Sequence, residues 1–204
     1  MPSYGFIGIN RLRAVEESVR ERIHQMWDRT ADLGASRIHE VIELVLSELS
    51  DMMGAQCAWW MGTLRLSDIP STDPTAGWRS RVIHNLPQRP GRECANKDPV
   101  RLIKEYFVDE GIIAILRNAG SFRVHILHDM VPPEWFQSDH YKTLYKDVEL
   151  RDAIYVIVPM GENVESWMVF ERNGFDKPFY SDEERELLDY AMPVSYTHLT
   201  LPTK

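Results

Sequence analysis

The sequence predicts an α+β domain with a mostly antiparallel sheet flanked by helices, preceded by an N-terminal amphipathic helix. Three observations predict it. Val164, Ser166, Met168 and Phe170 alternate with Glu165, Trp167, Val169 and Glu171, and a period of two gives a strand two different faces. The nearly continuous apolar run Ala153–Met160 stands just before it, across Gly161-Glu162-Asn163, so two strands neighbour each other as in a hairpin. Helical patterns are segregated to the start, the middle and the end of the chain.

Taken in order, residues 1–9 are small, polar and glycine-containing and read as a loose tail. Residues 10–34 read as a helix, with Val15, Val19, Ile23 and Met26 in a stripe and Trp27 beside it. Such a stripe suits pairing with a second copy or packing within the chain, so the helix is a candidate dimerisation element. Gly34 ends it and Ser36 caps a second helix, whose broader face carries Ile38, Val41, Ile42, Val45, Leu46, Leu49 and Met53 up to Gly54. Gln56–Leu66 and Gly77–Leu86 read as strands, separated by a loop with Pro70, Asp73 and Pro74. Asp98-Pro99 opens a helix bearing Leu102, Ile103, Tyr106 and Phe107, with proline in the first turn where its missing N–H costs nothing. Phe122–Leu127 reads as a short strand, and Pro132-Pro133-Glu134 opens a helix carrying Trp135, Phe136, Tyr141 and Tyr145. After the last strand Asn173-Gly174 breaks the chain, and Ser181 with Glu184 forms a capping box before Leu187, Leu188 and Ala191. Residues 193–204 carry no pattern that continues this helix. They resemble a translated sequencing-adapter tail, which implies that the natural protein continues past Met192 and places 35–192 as the folded domain.

Composition narrows the function. A hydrophobic content of 44% with six tryptophans supports a packed core. The net charge of −8, from 31 acidic and 23 basic residues, repels phosphate backbones and argues against direct nucleic-acid binding. No apolar run approaches the ~20 residues that span a bilayer. The two cysteines, Cys57 and Cys94, make no disulfide framework, and a reducing cytoplasm is the expected setting.

The closing segment "PFYSDEERELLDYAM" resembles that of GAF-type sensor domains, and GAF and PAS domains share the predicted plan; the helical middle favours GAF. A closer resemblance covers roughly residues 22–192. "RIHQMWDRTADLGASRIHEVIELVLSELSDMMGAQ", "LSDIPSTDPTAGWRSR", "FRVHILHDMVPPEWFQSDHYKTLY" and "ESWMVFERNGFDKPFYSDEERELLDYAM" resemble the N-terminal sensor region of bacterial LuxR-type transcriptional regulators. The resemblance implies a GAF-like, ligand-sensing regulatory domain that acts on DNA through a C-terminal helix-turn-helix lacking here, and that pairs as a homodimer. The alternatives are a GAF-fold enzyme, redox in character, or a ligand-free dimerisation module.

The candidate ligand-binding residues are Trp59, Trp60, Phe107, Trp135, Tyr141, Tyr145 and Trp167, on segments that would surround the concave side of such a sheet. Large aromatics also fill cores, and Trp135 and Tyr141, beside polar Ser138-Asp139-His140, suit a lid best. The ligand is an unknown small molecule. No cofactor or metal is expected: His125 and His128 on a strand-like run would face opposite ways, and His84 and His140 have no ligand-spaced partner. Arg89 and Arg92 flank Cys94, yet the cysteines stand far apart, so a buried Cys57 and an incidental Cys94 are expected. No nucleophile elbow, P-loop or dinucleotide fingerprint occurs, which leaves no catalytic residue to name. Phe179, Asp182 and Glu183 with Asn173 and Lys177 miss the spacing of a cyclic-nucleotide signature.

Overall fold

A computed structural model describes residues 16–33, 35–70, 72–86, 94 and 109–199. The expected tail at 1–9, the expected helix over 98–107 with Phe107, and residues 200–204 lie outside them. The chain divides into two units, residues 1–45 with 181–204, and residues 46–180.

In the first unit, helix α1 (Glu17–Leu33) buries Ile23 and Met26 of the apolar stripe and Trp27 beside it; Val19 is half-buried and Val15 lies outside the described residues. Trp27 Nε1 donates to the Ala191 carbonyl at 2.9 Å, and His24 Nε2 lies 2.9 Å from the Tyr190 hydroxyl. Ile23 and Met26 are thus covered within the single chain, and Trp27 and His24 meet the last helix. That helix runs Asp182–Leu199, beyond the Met192 limit expected from the sequence, so the segment read as lacking helical order continues the helix. Its start is the capping box foreseen: Ser181 N–H donates to Glu184 Oε2 at 2.8 Å and Glu184 N–H to Ser181 Oγ at 3.4 Å.

Helix α2 (Ile38–Met53) enters the second unit, where Leu46, Leu49, Ser50 and Met53 are buried. It stops at Gly54, whose φ of +64° places it in the left-handed region, and Ala55 N–H returns to the Ser50 carbonyl at 2.9 Å. Strands β1 (Cys57–Arg65), β2 (Trp78–Asn85), β3 (Arg123–Ile126), β4 (Leu150–Gly161) and β5 (Val164–Asn173) form one antiparallel sheet in the order β2-β1-β5-β4-β3. Trp59 pairs with Val169 and Ile157 with Trp167, so Trp59, Met61, Tyr155, Ile157, Trp167 and Val169 share one face. Trp60, one residue out of phase with Trp59, takes the other face, where its Nε1 donates to Ser166 Oγ at 2.7 Å.

Four short elements follow β2 and cover the first face: α3 (Glu110–Leu116), α4 (Leu127–Met130), a 3₁₀ turn Pro133–Gln137 and α5 (Asp139–Leu144). The single helix expected from Pro132 to Tyr145 is therefore two pieces. Ser138 breaks it, with extended backbone and a side chain that accepts from Tyr141 N–H and starts α5 afresh. Helix α4 also turns His128 out of the strand-like run assigned to it.

The strand alternation places Glu165 and Glu171 on the buried face. Glu165 accepts both Arg123 guanidinium nitrogens at 2.9 Å, Gly120 N–H at 2.7 Å and Trp167 Nε1 at 3.1 Å. Arg123 Nε also donates to the Ile115 carbonyl, tying α3 to the sheet. Asp152 is fully buried and accepts from His128 Nδ1, Ala153 N–H and Tyr180 N–H within 2.9 Å; burial nevertheless holds its carboxyl above the usual range.

One expectation is overturned outright. Cys57 and Cys94 form a disulfide, with Cα atoms 5.6 Å apart across a separation of 37 residues. Cys94 stands beside Cys57 at the start of β1, a tertiary proximity that spacing along the chain does not report. Such a bond persists in oxidising surroundings and opens in the reducing setting expected from composition.

Candidate functional site

Between the sheet and α3–α5 lies a cavity of about 40 Å³. Its floor is Trp59 and Met61 of β1, Ser80 and Ile83 of β2, and Tyr155 of β4. Its roof is Asp109 and Ile112 at the start of α3, His140 and Leu144 of α5, and Tyr145 just beyond. The strand period brings the floor together: Met61 pairs with Ile83, and the bulge at Gly62/Thr63 resets the register so that Ser80 stands opposite Thr63.

The roof is held by polar contacts. Asp109 caps α3, its Oδ1 accepting Ile112 N–H at 2.9 Å, while Oδ2 takes His140 Nε2 at 2.7 Å. This links α3 to α5 across 31 residues of sequence (140 − 109), so His140 finds a carboxylate that local spacing did not supply. Behind the roof sits an aromatic cluster. Trp135 meets Phe136 and Tyr141 edge-on at 5.2 and 5.7 Å between ring centres, and lies 6.1 Å from Tyr145. Tyr141 OH donates to the Leu150 carbonyl at 3.2 Å.

Burial is the largest cause that raises the Tyr145 phenol well above its ordinary range, followed by Tyr155 and the charges of Glu171 and Asp109. Tyr155 is raised likewise, by burial first, then Asp109, Glu171 and Asp152. Both phenols therefore remain protonated at neutral pH. Trp59 Nε1 donates to Glu171 Oε1 at 2.9 Å. Ser80 Oγ and Trp135 Nε1 are buried without a hydrogen-bond partner. The unmet Ser80 hydroxyl on the cavity lining marks a place where an incoming group gains a hydrogen bond, whereas Trp135 Nε1 lies in the aromatic cluster behind it.

Of the residues read from the sequence as ligand-binding, Trp59 and Tyr145 line the cavity. Trp135 and Tyr141 are 5% and 4% exposed and pack behind it, in the core cluster rather than on a free lid. Trp167 is buried in that core beside Glu165, Trp60 lies on the opposite sheet face, and Phe107 is outside the described residues. Ser80, Asp109 and His140 were missed as site residues. Asp109-Glu110 carried a helix-terminus signal, whereas Ser80 and His140 gave none without the fold. A larger, open groove of about 310 Å³ between Arg65, Leu66, Ile69, Pro70 and Asn163 has no aromatic lining. Among the described residues, no three metal-ligating side chains gather into one group, and no helix is long and apolar enough to cross a membrane.

No protein-family model matches the chain, and no curated protein matches its sequence. Among solved structures, the chain is similar to the ligand-binding domain of VqsR from Pseudomonas aeruginosa, with a TM-score of 0.57 and 12% identity. The match covers 89% of this chain and 94% of that one. At this identity the likeness shows a shared fold, an α+β ligand-binding-domain architecture with a five-stranded antiparallel sheet.

Proposed function

We propose that the chain is the small-molecule-sensing domain of a transcriptional regulator. The observation that carries this reading is the aromatic-walled cavity with an unmet buried hydroxyl on its lining, within a fold shared with a ligand-binding domain. The sequence resemblance to LuxR-type sensor regions supports the same reading. So does the cavity's position under short elements, since α3, α4, α5 and the 3₁₀ turn each span few turns and depend on tertiary contacts.

The cavity volume says how sensing would work. Ligand pockets for small molecules run to roughly 300–1,000 Å³, and about 40 Å³ holds little more than a water. A ligand therefore favours a conformer in which α5 and the 3₁₀ turn stand further from the sheet, and binding shifts the population toward it. The output is a DNA-binding helix-turn-helix following this domain, read through the last helix or through a homodimer. Ile23 and Met26 are covered within the chain, so a dimer uses other surface. The GAF-like assignment and a cytoplasmic setting, in which Cys57 and Cys94 stand reduced, belong to this proposal.

The test is a fusion of the chain to a heterologous helix-turn-helix domain, read by a transcriptional reporter across a small-molecule library. A dose-dependent change in the reporter supports the sensor reading. Output that no compound alters, from a soluble folded fusion, counts against it.

A further inference from the structure

Resting on the reading of this cavity as a ligand site, the geometry points to a primary ammonium as the head group it accepts. The cavity's walls are acidic in sign and aromatic in face. Asp109 is the carboxylate on its lining, and Glu171 stands behind Trp59, bonded to the indole nitrogen. Among the described residues His140 is the only basic side chain on the lining, and its Nε2 is already committed to Asp109. A carboxylate or phosphate entering here would meet the Asp109 carboxylate, with Glu171 behind Trp59, and no lysine or arginine on the lining. Burial of such an anion without a partner is strongly unfavourable.

An ammonium meets the opposite situation. Its three N–H donors need three acceptors. An ionised carboxylate offers about four lone-pair sites, and the two contacts of Asp109, to Ile112 N–H and His140 Nε2, leave acceptor capacity on a side chain that lines the cavity. Ser80 Oγ, in a residue only 2% exposed, has no partner and supplies a further acceptor. Trp59, Tyr145 and Tyr155 line the space with aromatic rings, whose π-systems attract a desolvated cation. Burial first, and then the nearby carboxylates, raises both phenols, so they add no competing negative charge. A cavity of about 40 Å³ fits the head group. The apolar body of the ligand then takes the space opened by α5.

Three compounds of one shape and different charge test this: benzylamine, benzyl alcohol and benzoate, titrated into the whole chain at constant ionic strength and followed by tryptophan fluorescence. Benzylamine is expected to bind at least about tenfold tighter than benzyl alcohol, with benzoate weakest. Asp109→Asn keeps an N-cap side chain for α3 while removing the charge, and is expected to bring benzylamine to within about threefold of the alcohol. Ser80→Ala, which alters no capping contact, is expected to weaken benzylamine by about three- to tenfold. Equal binding of amine and alcohol, tightest binding of benzoate, or an unchanged amine preference in Asp109→Asn overturns the inference. If none of the three binds while other library compounds do, the ammonium assignment fails and the sensor reading stands. If nothing binds at all, the sensor reading fails and takes the assignment with it.

Discussion

Replacing Glu165 by Gln tests how the roof of the cavity is anchored. Glu165 Oε1 accepts from Gly120 N–H and Arg123 Nη1, and Oε2 from Arg123 Nη2 and Trp167 Nε1. In the amide, one of these oxygens becomes an NH₂ group that faces two donors. Arg123, 7% exposed, is left with a buried charge and no counter-ion. Breaking one side of such a pair costs about 3–5 kcal/mol. With a urea slope of about 2 kcal/mol per molar, the midpoint falls by roughly 2 M. Arg123 Nε holds the Ile115 carbonyl of α3, so the same change loosens the helix that begins at Asp109. Urea unfolding followed by tryptophan fluorescence measures it, together with Arg123→Met and the double variant Arg123→Met/Glu165→Leu. The double variant is expected to lose less than the sum of Glu165→Gln and Arg123→Met, because no buried charge remains. A loss below about 1 kcal/mol for Glu165→Gln, or strict additivity, refutes the anchoring argument.

Other outcomes follow from separate features. The Arg79 guanidinium beside Asp73, with Gly77 N–H and Thr75 Oγ1, lowers its carboxyl pKa from 3.8 to about 2 despite partial burial. The folded value lies below the unfolded one, so the stabilisation is present above about pH 4 and lost as the pH falls toward 2. After solvent screening it is worth about 1–2 kcal/mol, and Asp73→Asn should flatten that part of the pH–stability curve. Opening the Cys57–Cys94 bond, which closes a loop of 37 residues' separation, should cost up to about 4 kcal/mol, read as a lower melting temperature of Cys57→Ser or of reduced protein against oxidised protein. Trp135→Ala removes a ring packed on Phe136, Tyr141 and Tyr145, with an expected loss of about 3–5 kcal/mol in chemical denaturation and of the ligand response. Deleting residues 1–34 exposes what Ile23, Met26 and Trp27 now cover; sedimentation then tests the dimer, and a shortened chain that remains folded and dimeric removes α1 from the interface.

The sheet was legible because its signals are local. The alternation from Val164 to Glu171, the apolar run before it and the turn between them specify β4 and β5 and their pairing within a few residues. The capping box at Ser181 was likewise readable from four residues. What escaped depends on distance in sequence. Apolar and aromatic residues between Pro132 and Tyr145 suited one helix, and only the side-chain cap of Ser138 divides them. Asp109 and His140 carry no shared pattern, and the Cys57–Cys94 pairing joins residues 37 apart that no local signal relates. The aromatic list found two cavity residues, Trp59 and Tyr145. It could not sort lining from core, because hydrophobic size alone does not distinguish a pocket wall from packing immediately behind it.

The most direct measurement fills the cavity. Leu144→Trp projects an indole from α5 into the space bounded by Trp59, Ile83 and Tyr155. Thermal-shift titrations of the original and filled proteins are then run against one small-molecule library. The account predicts compounds that stabilise the original saturably and lose that effect in the filled variant, with the variant itself still folded. Stabilisation of equal size in both proteins would place the ligand elsewhere and contradict the account.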